Sequence, residues 1–406
     1  MTHPTFRPLP LAASLCLCGF ATSLLAADAA LLARAPQDLV AARLVTPSKN
    51  LPDTAALDRT PVSLSWPLDA AQALDARPQV HVAESREYWI DASETELRNG
   101  IRLPLSAPGA VVRLSPHGGR ADAAIAASDV QLSLAGKRVA DAIRSAAGED
   151  ELRAAGMDAP SGSVAMRLAD RITGEAKLAV PTARGAYLVH VYEPASPVVL
   201  GLAADRDGVA GGDGLRFRAT IRGATLDRVS GLVSAPDGAS QAAEFVRQAD
   251  GSYVADVRPD LAHAGGPGLW EIHAFGTAGG TAAIPRDAKT AFAVSLPVAR
   301  LDGNVERIAL KGKDAGIVLS IGVETSIASR YGLSGVLYGT GKDGGLHPVA
   351  VAQSAAWLGA GRGRIELGYD AASLSLGAPW EVRDLRLVNQ ADFSLQERRE
   401  RALSLK

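Results

Sequence analysis

Between Leu215 and Val294, apolar and polar positions alternate with a period of two, the mark of strands that bury one face. Leu215, Phe217, Ala219 and Ile221 fall on one side; Arg216, Arg218, Thr220 and Arg222 fall on the other. Two further runs, Glu244 to Asp250 and Tyr253 to Val257, flank Asp250-Gly251, a dipeptide suited to a tight hairpin because both residues tolerate positive φ. Trp270, Ile272 and Ala274 then share a face opposite Glu271 and His273, and Phe292 and Val294 close the set. These units predict one immunoglobulin-like β-sandwich over residues 197–297.

The pattern on either side differs. Residues 30 to about 65 are rich in Pro, Asp and Thr without a sustained period, and short helices are expected at 28–35 and 67–75. From Glu87 the pattern is β, through Tyr88, Trp89 and Ile90, Gly100 to Leu105, and Ala110 to Leu114. Val139 to Gly156 reads as a helical stretch broken at Gly148, its Ala-rich spacing carrying Val139, Ile143 and Leu152. The strands resume at Val164, and Tyr187 to Tyr192 reads as one buried on both faces. A mostly-β N-terminal domain with a helical insertion is therefore expected over 30–195. Glu193-Pro194-Ala195-Ser196-Pro197 ends it, since two prolines within four residues interrupt both helices and central strands. A last β-sandwich over 298–396 follows, with strands at 316–321, 333–339, 348–352, 364–368 and 381–388. The charged tail from Gln396 to Leu403 reads as a short helix or a frayed end. The fold class is thus mainly β and multi-domain, a tandem of sandwiches, with a tryptophan as core anchor in each unit.

Composition adds the compartment. Residues 1–27 have the form of a secretory signal: His3 and Arg7, an apolar run from Leu9 to Leu25, and a small-residue cleavage site at Leu25-Ala26-Ala27 or Ala27-Asp28-Ala29. The expected location is secreted or periplasmic. Both cysteines, Cys16 and Cys18, lie inside that segment, so the mature chain is expected to have none and to rest on core burial alone. Arg7 is the one charged side chain lost with it, which leaves 41 basic against 44 acidic residues. That balance gives no reason to expect nucleic acid, and after cleavage no apolar run approaches the roughly 20 residues of a membrane span.

Two clusters carry candidate chemistry. Asp205, Asp207 and Asp213, among Gly208, Gly212 and Gly214, offer oxygen ligands for calcium, although their spacing departs from an EF-hand loop and Asp and Gly are also ordinary turn formers. No other cofactor is expected. Arg216, Arg218 and Arg222 put basic side chains on one outward strand face, either a binding face for an acidic glycan or partner or, more commonly, a plain solvated face. The seven histidines form no HExxH pair, and Gly332-Leu333-Ser334-Gly335 falls one residue short of a nucleophile elbow.

Three stretches carry a likeness: Ala107-Pro108-Gly109-Ala110-Val111-Val112-Arg113, Asp287-Ala288-Lys289-Thr290-Ala291-Phe292-Ala293-Val294 and Ser329-Arg330-Tyr331-Gly332-Leu333. Through them the chain resembles a bacterial family of unknown function whose members are exported, as type II secretion substrates are, and carry tandem immunoglobulin-like domains. The resemblance implies fold and export and transfers no active site. Ala378 to Leu387 is also similar to sandwich tails appended to secreted hydrolases. The expected function is a non-catalytic exported protein presenting a surface to a protein or envelope glycan. The alternative is a secreted hydrolase, or its carbohydrate-binding accessory, with a site in the 30–195 domain.

Overall fold

The computed structural model of the chain describes residues 29–47, 53–75, 79–118, 124–264, 268–279, 283–308 and 316–406. Residues 1–27, expected to be a secretory signal, lie outside them, and with them Cys16 and Cys18. No helix among the described residues is long and apolar enough to cross a membrane. The protein is mainly β, built as three successive sandwiches, each with its own core.

The first sandwich faces a five-stranded sheet against a four-stranded one. The larger sheet runs Ile143–Gly148, Val164–Leu168, Val111–Pro116, Tyr187–Tyr192, Glu87–Ala92; the smaller runs Ile101–Leu105, Gly174–Ala179, Gln131–Leu134, Lys137–Arg138. Tyr88, Leu103, Met166 and Val189 fill the space between them. The helix expected over 139–156 shrinks to Glu149–Ala154. Ile143–Gly148 is a strand instead, paired antiparallel with Val164–Leu168. Alanine's helix propensity of a few tenths of a kcal/mol per residue yields there to a full ladder of partners. A second helix, Glu94–Asn99, goes unread in the sequence although Ser93 and Glu96 make a capping box: Glu96 N donates to Ser93 Oγ and Ser93 N donates to Glu96 Oε2.

The middle sandwich follows the alternation closely. In Leu215–Arg222 the leucine, phenylalanine and alanine are buried and the arginines exposed. Phe217, Phe292 and Trp270 meet in the core, with ring centroids 5.2 and 6.3 Å apart. Gly251, at φ 82°, closes the hairpin between Val246–Arg247 and Tyr253–Val257.

The segment before Glu87 departs from the expected grouping with the first unit. Ala29–Leu31 and Leu39–Val40 pair with the C-terminal strand Ser394–Leu405, and Val62–Pro67 pairs with Leu346–Leu358 at the opposite edge of that same seven-stranded sheet. Val82–Ser85 then forms an edge of the middle sandwich beside Val199–Ala204. The chain therefore enters through the last sandwich, passes the middle one and only then builds the first. Neither expected early helix is present: Ala29–Leu31 is a strand, and residues 67–75 hold turns. Side chains fix the path. Asp38 is fully buried and accepts from the amides of Ala35 and Glu400, while Arg330 Nη1 donates to the carbonyls of Asp58 and Thr60.

The charged tail is neither helix nor frayed end. Ser394–Leu405 lies between Gly377–Asn389 and the N-terminal strands, so the last sandwich runs past residue 396. Two of its charges are internal: buried Glu397 accepts from buried Arg399 Nε at 2.6 Å and from Leu301 N at 2.7 Å. The other sheet of this sandwich is Ala299–Ile308, Ile317–Thr325 and Gly361–Tyr369.

Candidate functional site

Alternation along Leu215–Arg222 points Arg216, Arg218 and Arg222 outward, and each meets a carboxylate on an adjoining element. Arg216 Nε lies 2.8 Å from Asp256, Arg218 Nη1 3.0 Å from Asp250, and Arg222 Nη2 2.9 Å from Glu84. The row is thus a set of exposed ion pairs. The three aspartates read as calcium ligands do not converge. Asp205 accepts from Arg216 N, Asp213 pairs with Arg34 at 3.3 Å, and Asp207 is exposed; among the described residues no group of three His, Cys, Asp or Glu could hold a metal ion.

Asp205 and Arg216 instead line one cleft of about 700 Å³ with Arg206, Gly214, Leu215, Asp256 and Arg258. The turn Asp205-Arg206 and the strands Leu215–Arg222 and Tyr253–Val257 form its walls. Arg206 Nη2 donates to Gly214 O at 3.2 Å, and its Nε sits 3.7 Å from the Asp205 carboxylate, beyond hydrogen-bond reach. Arg206 Nε and Nη1 are buried without a hydrogen-bond partner. Arg258 is exposed and makes no ion pair among the described residues. The sequence reading passed over both, one inside a run read for its aspartates and the other at a strand end.

A second cluster joins the first and middle sandwiches. Arg286, fully buried, donates through Nη2 to Glu193 Oε2 at 2.6 Å and to Ser106 Oγ and Ser196 Oγ at 2.8 Å, and through Nε to Val198 O at 3.0 Å. Glu193 also accepts from the amides of Ser106 and Ala107. Next to it the Asp287 carboxylate accepts from Trp89 N at 2.8 Å; burial pushes its pKa up to about 7, against the lowering effect of that bond. The Trp89 ring stacks on His190 at 4.9 Å and meets His273 edge-on at 5.2 Å. His273, expected to face solvent, is half-buried beneath this contact. Burial, with Lys289 nearby, brings its pKa down to about 4.

Comparison with known proteins places the chain. Residues 53–193 match the N-terminal domain, and residues 299–406 the C-terminal domain, of the family described as Domain of unknown function (DUF4785); together they make up more than half of the sequence. The chain belongs to the DUF4785 family. The crystal structure of a DUF4785 family protein from Legionella pneumophila subsp. pneumophila str. Philadelphia 1 is 19% identical and superposes with a TM-score of 0.70, over 92% of this chain and 98% of that one. A 1.5-MDa bacterial ice-binding adhesin, 12% identical over 52% of this chain and 64% of that one, reaches a TM-score of only 0.22 and supports no conclusion here. No curated protein matches.

Within this DUF4785 fold the remaining candidates are structural. Glu149 and Glu151 both line a first-sandwich cleft, yet Glu151 accepts from Gly148 N and Glu149 accepts from Gly162 N and pairs with Arg153. Of the tryptophans read as core anchors, Trp270 is buried in a core. Trp89 lies at the junction, Trp66 is 44% exposed on the last sandwich's edge strand, and Arg59 covers Trp357 at 4.4 Å.

Proposed function

We propose that this DUF4785 protein is exported and non-catalytic, a rigid frame of immunoglobulin-like sandwiches that presents a binding surface to an envelope glycan or protein. The observation that carries the reading is the arginine-lined cleft of the middle sandwich: a concave, charged recess between the Asp205-Arg206 turn and two strands, with two Arg206 nitrogens that have no acceptor. Export rests on the signal-like residues 1–27. Cleavage after Ala27 suits this reading better than cleavage after Ala29, because Ala29 is a buried strand residue paired with Leu405.

The test uses the secreted or periplasmic protein purified from its producer. N-terminal sequencing is expected to begin at Asp28. Glycan and protein arrays are expected to give saturable binding, while peptide, polysaccharide and ester substrates are left unturned. Turnover that survives re-purification and disappears when an acidic residue of the first sandwich is replaced would overturn the binding reading in favour of a hydrolase.

A further inference from the structure

The cleft beside Gly214 has a charge imbalance that identifies what it lacks. Arg216 is committed to Asp256, through Nε at 2.8 Å and Nη2 at 3.2 Å. Asp205 offsets Arg206 across 3.7 Å without a hydrogen bond, and Arg258, exposed, makes no ion pair among the described residues. Arg206 and Arg258 both lean on Gly214, one donating to its carbonyl and the other with Nε 3.9 Å from where a β-carbon would stand. Buried charged donors without acceptors are costly, and an oxyanion seated between two guanidinium forks removes that cost. The recess is far larger than an inorganic ion, and Leu215 is the one apolar side chain along it. Asp256 spends both oxygens on Arg216, while Asp205 accepts from Arg216 N through Oδ1, which leaves Oδ2 to accept a hydroxyl hydrogen. A flexible lipid or an apolar peptide would find little here; a hydroxylated ring carrying an acid group would find partners for both parts.

We propose that this cleft binds an acidic saccharide, with Arg206 and Arg258 holding the sugar's oxyanion and Asp205 taking a hydroxyl. The inference rests on the binding reading above and names its ligand class. The oxyanion is a carboxylate or a sulfate, two sources of one chemistry that separate titrations distinguish.

The mature chain is titrated by calorimetry with an oligogalacturonate, a sulfated galactan oligosaccharide, a neutral galacto-oligosaccharide and inorganic sulfate. Saturable binding of one acidic oligosaccharide is expected, with little from the neutral one, and it should weaken as salt rises because exposed charges are screened. Arg258→Gln should weaken it roughly ten-fold, the loss of one charge-assisted contact, and Arg206→Gln by at least as much. Arg228→Gln, on the other sheet, should leave it unchanged. Arg258 is exposed, so its variant keeps the test valid even where Arg206→Gln fails to fold. Equal binding of acidic and neutral sugars overturns this inference and leaves the binding reading standing. Undiminished binding by Arg258→Gln shows that the cleft is not the site. Binding of no saccharide also overturns it, and the protein array then decides the broader reading.

Discussion

The middle sandwich sets its arginines in two contrasting environments. Arg286 is fully buried at the junction with the first sandwich, and all its nitrogens meet acceptors from Glu193, Ser106, Ser196, Val198 or Pro285. Arg216, Arg218 and Arg222 stand in the open, each against one carboxylate. The distances are alike; the energetics are not. In water an ion pair exchanges partners at little cost, whereas a buried one leaves a bare charge when either partner is lost. The buried arginine is therefore a joint, and the exposed arginines form solvated pairs that contribute little to it. The last sandwich is held by a third means, backbone pairing with Ala29–Leu31, Leu39–Val40 and Val62–Pro67, supported by Asp38 and Arg330.

Removing one partner of the joint should break the contrast most. Arg286→Met or Glu193→Gln is expected to lower unfolding stability by about 3–5 kcal/mol, since the remaining group stays buried without its counterpart. Arg286→Met combined with Glu193→Gln should recover part of that loss, because neither charge then remains and the amide oxygen can still accept from the Ser106 and Ala107 amides. Urea unfolding of the three variants checks this. A single-variant loss below about 1 kcal/mol would mean that the joint is held by packing around it instead.

A smaller effect comes from pH, through the two perturbed groups beside the joint. Asp287 has a folded pKa raised to about 7 by burial, with Glu87 also raising it and Trp89 N and Arg286 lowering it. Its folded form holds a proton that the unfolded form releases, so its contribution to stability falls as pH rises from about 4 to about 7, by roughly 3–4 kcal/mol at most. His273 has a folded pKa lowered to about 4, by burial first and by Lys289 second, opposed by Glu271 and Glu87. Its contribution is lost as pH falls from about 6.5 to about 4, with a sign opposite to that of Asp287. The parent profile across pH 4–7 should therefore be flatter than either group alone would give. Asp287→Asn should leave stability rising with pH over that window, and His273→Gln should leave it falling more steeply than in the parent. Identical profiles for parent and both variants would show that neither group changes its protonation on unfolding.

Sequence patterning revealed the elements whose two faces differ. Leu215 to Ile221 and Trp270 to Ala274 alternate because one face meets the core and the other solvent. Strands of three and two residues, such as Ala29–Leu31 and Leu39–Val40, are too short to carry a period, so the return of the N-terminal segment to the last sandwich left no local trace. Ser394–Leu405 misled because its charges resemble a solvated face, whereas Glu397 and Arg399 neutralise each other inside. The linker was read as a boundary from its prolines, yet Glu193 within it is also the anchor of the joint; its partner Arg286 lies 93 residues away. At the cleft, alternation disclosed that Arg216 points outward, but its carboxylate lies 40 residues along the chain. Arg206 and Arg258 became visible only when three separate stretches were brought together.

The smallest expected effect tests the exposed side of the comparison. Arg218 Nη1 reaches Asp250 at 3.0 Å and Ser252 Oγ at 2.6 Å, with nearly half of its side chain exposed. Losing it strands nothing, because Asp250 keeps the Ser252 amide at 3.0 Å and the Ser252 hydroxyl at 2.6 Å. Those bonds are the larger causes of the lowered pKa of Asp250, with Arg218 contributing less. Water takes the place of the guanidinium. Arg218→Ala should accordingly cost less than about a tenth of the Arg286→Met loss in the same urea titration, and the difference should shrink further at high salt. A loss comparable to that of Arg286→Met would show that the exposed row also holds the sandwich together.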